Sequence, residues 1–220
     1  MAKQVNPSLD AALAHLAASD PVMARLVQER GPLHLTPTDE YFFTLVDAIV
    51  SQQVSSKAAA TIVSRIRALL PEGGPPAPEG ILAIPDESLQ AVGISWKKVS
   101  YVKDLAQRVH SGELDLAHIS QMDDKEIIKS LVAVKGIGPW TAEMFLIFSL
   151  ARPDVLAVAD YGLQVAMKRL YNLESLPKPA AMREIAEPWR PYRSYASLYL
   201  WRSLDNSPKV EALEVPREGA

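Results

Sequence analysis

Between Leu131 and Tyr171 the chain reads LVAVKGIGPWTAEMFLIFSLARPDVLAVADYGLQVAMKRLY. Its centre, Val134-Lys135-Gly136-Ile137-Gly138-Pro139-Trp140-Thr141-Ala142, lies between two helical patterns and holds two glycines separated by one residue. That spacing calls for a tight hairpin between helices. Glycine at 136 and 138 admits positive φ and the close approach of another backbone or a phosphate, while Pro139 stands in a first helical turn, where proline is accepted. The second helix then opens with main-chain N–H groups that have no partner in the helix, a sequence-independent cradle for phosphate.

The rest of the chain is patterned as helices. Ser8 is placed to cap a first helix to about Ala17, and Asp20-Pro21 a second to about Arg30, closed by Gly31-Pro32. Phe42, Leu45, Val46 and Ile49 keep helical spacing up to Ser51-Gln52-Gln53, and Ser55 opens another helix with Ala59, Ile62, Val63, Ile66 and Leu69 on one face. Pro71 to Pro78 is a surface connector. Beyond it, Trp96, Val99, Val102, Leu105, Ala106 and Val109 form an apolar stripe, Asp123 begins the helix leading into the hairpin, and Met144–Leu150 is apolar nearly all round, as in a helix buried on every side. Further helices are expected near 161–170, 180–187 and 192–204. Strand-like alternation is almost absent, so the fold class is all-α.

Composition narrows the chemistry. The chain has no cysteine, which removes disulfides, thiolate zinc and cysteine-held iron–sulfur clusters, and its four histidines lack metal-ligand spacing. The net charge of −3 is unlike a basic nucleic-acid binder, so a DNA-binding reading needs a local basic face. Lys97/Lys98, Lys168/Arg169 and Arg190/Arg193/Arg202 are its candidates. No signal peptide and no membrane-length apolar run is found in the sequence.

Taken alone, the polar and aromatic residues have ordinary readings. Asp160, ahead of an amphipathic helix, reads as an N-cap worth about 1 kcal/mol. A helix N-terminus also favours negative charge, so a cap can double as a charged catalytic group. Trp140, Tyr161 and Trp201 read as core aromatics, Gln52-Gln53 as polar residues at a turn, and Lys97-Lys98 as a solvated helix face.

Together they resemble something more specific. The hairpin, followed twenty-two residues after Gly138 by Asp160 in Val158-Ala159-Asp160-Tyr161, resembles the helix-hairpin-helix, Gly/Pro-rich loop and aspartate signature of base-excision DNA glycosylases, and within them the DNA-3-methyladenine glycosylase II (alkyl-base) branch. Ser51-Gln52-Gln53-Val54-Ser55 and Arg190-Pro191-Tyr192-Arg193-Ser194-Tyr195 to Trp201 match as well, so the resemblance runs over roughly 39–205.

The resemblance implies two helical lobes with the active-site cleft between them: 1–38 with 138–205 in one, 39–137 in the other, and a loose tail at 206–220, without the extra N-terminal β domain of some relatives. It implies a monofunctional enzyme that flips an alkylated purine out of double-stranded DNA and hydrolyses its N-glycosidic bond. Asp160 would stabilise the oxocarbenium-like sugar and aid water attack, and Trp140, Tyr161 and Trp201 would line the base pocket. Where strand-nicking relatives carry a lysine, this chain has Trp140, so no Schiff base and no lyase activity are expected. Gln53, with Gln52, would be the wedge that fills the gap in the duplex, where some relatives carry leucine. Gly136, Gly138 and Thr141 would hold phosphate, and the carbonyls of Val132, Val134 and Ile137 a monovalent cation. No cofactor is required on this reading, the protein is a monomer that binds no membrane, and it works in the cytoplasm with the nucleoid if bacterial or in the nucleus if eukaryotic. Two other functions remain open on sequence alone: a non-catalytic DNA-binding module, and a glycosylase for other damaged or mismatched bases.

Overall fold

Helix starts in this chain are set by short polar side chains and by prolines, and the computed structural model, which describes residues 8–70 and 76–204, shows them in use. Ser8 accepts from the Ala11 N–H at the head of α1 (Leu9–Ser19), and Asp20 accepts from the N–H groups of Val22 (2.7 Å) and Met23 (3.3 Å) at the head of α2 (Pro21–Arg30). α3 (Tyr41–Val50) has no side-chain cap; Ser55 caps α4 (Ser56–Ala68), and prolines stand at or just before the starts of the short α5 (Pro78–Ala83) and α6 (Asp86–Ala91). Ser95 caps α7 (Trp96–His110), and Asp123 and Glu126 form a reciprocal capping box on α8 (Asp124–Val132). α9 (Pro139–Met144), α10 (Tyr161–Leu170), α11 (Pro179–Ile185) and α12 (Arg193–Ser203) complete the set. No strand occurs among the described residues, in agreement with the all-α expectation, and none of their helices is long and apolar enough to cross a membrane. Residues 1–7 of the first lobe, most of the proline-rich connector and the tail at 206–220 lie outside the described residues.

The chain divides into two compact units, one of residues 8–37 with 146–204, the other Thr38–Phe145. In the first, α12 packs against α10 and α2, and α1 against α2. Leu16, Met23, Leu26, Met167, Trp189 and Tyr199 are buried there, at about 1.5–3 kcal/mol for each large apolar side chain. Asp20 does more than cap α2. Its second oxygen, Oδ2, accepts from the Tyr171 hydroxyl (2.6 Å) and the Trp189 indole N–H (2.8 Å). Burial, then the hydrogen bond and charge of Asp20, push the Tyr171 hydroxyl far above the usual tyrosine pKa.

In the second unit α7 packs against α5 and α3, with Val99, Val102, Leu105 and Ala106 buried. Trp96, assigned to the same stripe by periodicity, is instead 57 % exposed, because it is the first residue of the helix and the stripe has no earlier turn to continue. Past α9 the helix widens into a π-turn over Phe145–Ser149, in which Phe145, Leu146, Ile147 and Ser149 are buried.

Candidate functional site

The hairpin between α8 and α9 closes through two turns: the Val134 N–H donates to Leu131 O (3.0 Å), and the Ile137 N–H to Val134 O (3.1 Å). Gly136 has φ 83°, and a Cβ there would stand 2.1 Å from Tyr101 Cδ2, so a side chain at this position clashes with that ring and strains the backbone. Gly138 differs from the sequence expectation. Its φ is −98°, ordinary for any residue, and open space surrounds the place a Cβ would take. Its missing side chain leaves the head of α9 uncovered, without a side-chain cap.

Helix α7 braces the hairpin from below. Asp104 accepts the Lys135 N–H (2.9 Å), with the Lys135 Nζ at 3.6 Å and the Arg108 Nε at 3.0 Å. Burial pushes the Asp104 carboxyl up, but the Lys135 N–H and the Arg108 guanidinium outweigh it and hold the carboxyl below its usual range. Trp140 is 42 % exposed at the start of α9, whereas Thr141 is buried. Among the described residues no group of three or more His, Asp or Glu could hold a metal. A cation here would therefore rest on main-chain oxygens. Val134 O already accepts the Ile137 N–H and keeps a second lone pair.

The Gln52-Gln53 corner at the end of α3 lies in the same unit. Gln53 is exposed with φ 57°, a left-handed conformation uncommon for a residue with a side chain. Gln52 is turned inward: its Nε2 donates to Gly136 O at 2.9 Å. Lys98, read from sequence as a solvated helix face, is half-buried, and its Nζ donates to Val50 O (2.7 Å) and Gln52 O (2.6 Å). No pattern distinguishes such a lysine from its solvated neighbour Lys97. Nearby, the Ser51 hydroxyl donates to Asp47 Oδ1 (2.7 Å), and burial raises the Asp47 carboxyl pKa.

In the other unit, Asp160 is the N-cap of α10 and only 7 % exposed. Its Oδ1 accepts from the Leu163 N–H (2.7 Å) and from the Trp201 indole N–H (2.9 Å). Two donors and a helix N-terminus thus converge on one carboxylate, the environment of a fixed negative charge. Trp201 is an aromatic that the resemblance assigns to the base pocket. It is 2 % exposed, its ring centroid 5.6 Å from that of Phe148, and its N–H edge meets Asp160. Tyr161, by contrast, is 70 % exposed.

Gly162 went unnoticed in the sequence. A Cβ there would stand 3.1 Å from Asp160 Oδ1 and 3.3 Å from the Trp201 ring, so the glycine makes room for the indole–carboxylate contact. A glycine in the first turn of a helix, two residues after the aspartate, was the available signal.

The Arg190–Ser194 segment supports Asp160 at one remove. Arg193 donates to Asp154 Oδ1 (2.6 Å), Oδ2 (3.0 Å) and main-chain O (2.9 Å), Arg190 reaches Asp154 Oδ2 (3.0 Å), and Ser194 Oγ accepts the Val155 N–H (2.9 Å). These contacts pin the loop that leads into Asp160. Of the candidates for a basic face, Arg190 and Arg193 are thus engaged with an acid and Lys98 with carbonyls.

Residues 46–191 match the family described as HhH-GPD superfamily base excision DNA repair protein. DNA-3-methyladenine glycosylase 1 of Schizosaccharomyces pombe is 33 % identical over 205 residues, covering 91 % of this chain and 90 % of that protein. Bacillus subtilis YfjP is 36 % identical over 166 residues, 73 % of this chain and 58 % of YfjP. Two solved structures are similar in fold: Schizosaccharomyces pombe 3-methyladenine DNA glycosylase (Mag1) in complex with abasic DNA, with TM-score 0.77 and 32 % identity over 89 % of this chain and 97 % of that one, and DNA-3-methyladenine glycosidase from Bacillus halodurans, with TM-score 0.79 and 35 % identity over 91 % and 90 %. A helix–hairpin–helix with Gly136 at its turn and Asp160 at the head of a later helix falls inside the matched segment, and on that match the chain belongs to the HhH-GPD superfamily of base excision DNA repair proteins.

Proposed function

We propose that the protein is a monofunctional DNA glycosylase that hydrolyses the N-glycosidic bond of alkylated purines of the 3-methyladenine and 7-methylguanine type in double-stranded DNA, leaving an abasic site. The observation that carries this reading is the Asp160 carboxylate, fixed by the Leu163 N–H and the Trp201 indole in a chain of this family. As the C1′–N bond breaks, its electron pair goes to the base, which in a purine methylated at N3 or N7 is already cationic and leaves as a neutral molecule. The sugar gains positive charge at C1′. A held anion lowers the energy of that charge, and water then adds to C1′ and gives up a proton.

The other residues take roles suited to their surroundings. The main chain around Gly136 and Gly138 contacts phosphate, Gln53 enters the base stack, and Trp140 and Tyr161 offer π-faces to a cationic purine, worth about 0.5–2 kcal/mol each. A monovalent cation on the Val132, Val134 and Ile137 carbonyls would reinforce the phosphate contact, and no step depends on it. The protein acts as a monomer wherever the chromosome lies.

The products test this reading. Methylated duplex incubated with the protein is expected to release free methylpurine and to gain strand breaks only after alkali, with no adduct trapped by borohydride, because Trp140 has no amine to form a Schiff base. Borohydride trapping would contradict the monofunctional assignment, and intact bases throughout would contradict the activity.

A further inference from the structure

Helix α7 supports two surfaces at once. Tyr101 lies against Gly136 and Asp104 takes the Lys135 N–H, while from the same helix Lys98 reaches the carbonyls of Val50 and Gln52. These carbonyls are at the C-terminal end of α3, where the helix leaves its last oxygens without internal donors and where a positive charge is favoured. Burial lowers the Lys98 pKa from the ordinary lysine value, a mark of an ammonium withdrawn from solvent. The corner so held carries Gln53 at φ 57°, a backbone state that persists when its surroundings impose it. Gln52 completes the arrangement by donating to Gly136 O across 84 positions of sequence.

Resting on the wedge role given to Gln53 above, we propose that Lys98 and Gln52 are positioning residues for base flipping, joining the Gln53 corner and the Gly136 hairpin into one stiff piece. Grip on phosphate at the hairpin is thereby transmitted to the corner that displaces the base. A corner free to relax about Gln53 would yield to the duplex, whereas a clamped one makes the duplex yield. The requirement is greatest when the lesion is well paired, and slight when nothing opposes its exit.

The test is single-turnover release of 7-methylguanine, at saturating enzyme, from two duplexes: one with cytosine opposite the lesion, one with an abasic analogue opposite. Lys98→Met keeps the apolar stem and removes the donors. It is expected to slow release about tenfold or more from the paired duplex and less than about threefold from the unpaired one, with Lys98→Arg recovering part of the loss. Gln52→Leu, which leaves the Lys98 contacts to main-chain oxygens in place, should show the same selectivity, and it carries the test if Lys98→Met does not fold. Equal slowing on both duplexes, or none on either, overturns the proposal. Absence of release by the unsubstituted protein on both would instead overturn the glycosylase reading on which it rests.

Discussion

Asp160→Asn is expected to fold normally and to release methylated purine about a hundred- to a thousandfold more slowly than the unsubstituted protein, the range typical of removing one preorganised electrostatic group. Asparagine keeps an oxygen at the Oδ1 position, so the N–H groups of Leu163 and Trp201 retain their acceptor and α10 retains its cap. What disappears is the negative charge that opposes the developing charge on the sugar. The defect should therefore appear in single-turnover rate and hardly in duplex affinity or thermal midpoint. A matching loss of stability would show that Asp160 serves the helix more than the reaction.

Asp20→Ala should have the largest effect on stability, about 3–5 kcal/mol. Four donors meet on this one buried carboxylate: the N–H groups of Val22 and Met23, the Tyr171 hydroxyl and the Trp189 indole. Alanine strips the cap from α2 and leaves the Tyr171 and Trp189 donors without that acceptor in a packed interior. Urea unfolding followed by tryptophan fluorescence measures the change directly, since Trp189 is one of the partners. A shift below about 1 kcal/mol, the worth of an N-cap alone, would mean that the links to Tyr171 and Trp189 contribute nothing net.

Local chemistry was legible in the sequence and distant pairing was not. Ser8, Asp20, Ser55, Asp123 and Asp160 each start a helix, because an N-cap involves residues two or three positions apart. Asp20 could be read as a cap for that reason. Its links to Tyr171 and Trp189, 151 and 169 positions on, could not. Likewise Trp201 could be recognised as an aromatic near the end of the last helix, yet whether it presents a face or an N–H edge depends on how α12 packs on α10 around Gly162. Lys98 shows the limit most plainly: Lys97 and Lys98 are neighbours of one type, and only packing separates the exposed one from the one that holds the Gln52 corner. The π-turn at Phe145–Ser149 was hidden by a run so uniformly apolar that period and register could not be read from it.

The central claim is that a fixed anion at Asp160 recognises positive charge at the anomeric position. Affinity for two abasic mimics in the same duplex tests it most directly: one with a pyrrolidine ring, cationic nitrogen in place of C1′, the other with a neutral tetrahydrofuran ring. The unsubstituted protein is expected to bind the cationic duplex about a hundredfold more tightly than the neutral one, and Asp160→Asn to lose that preference. Equal affinity of the unsubstituted protein for both, or a preference that survives in Asp160→Asn, would contradict the account.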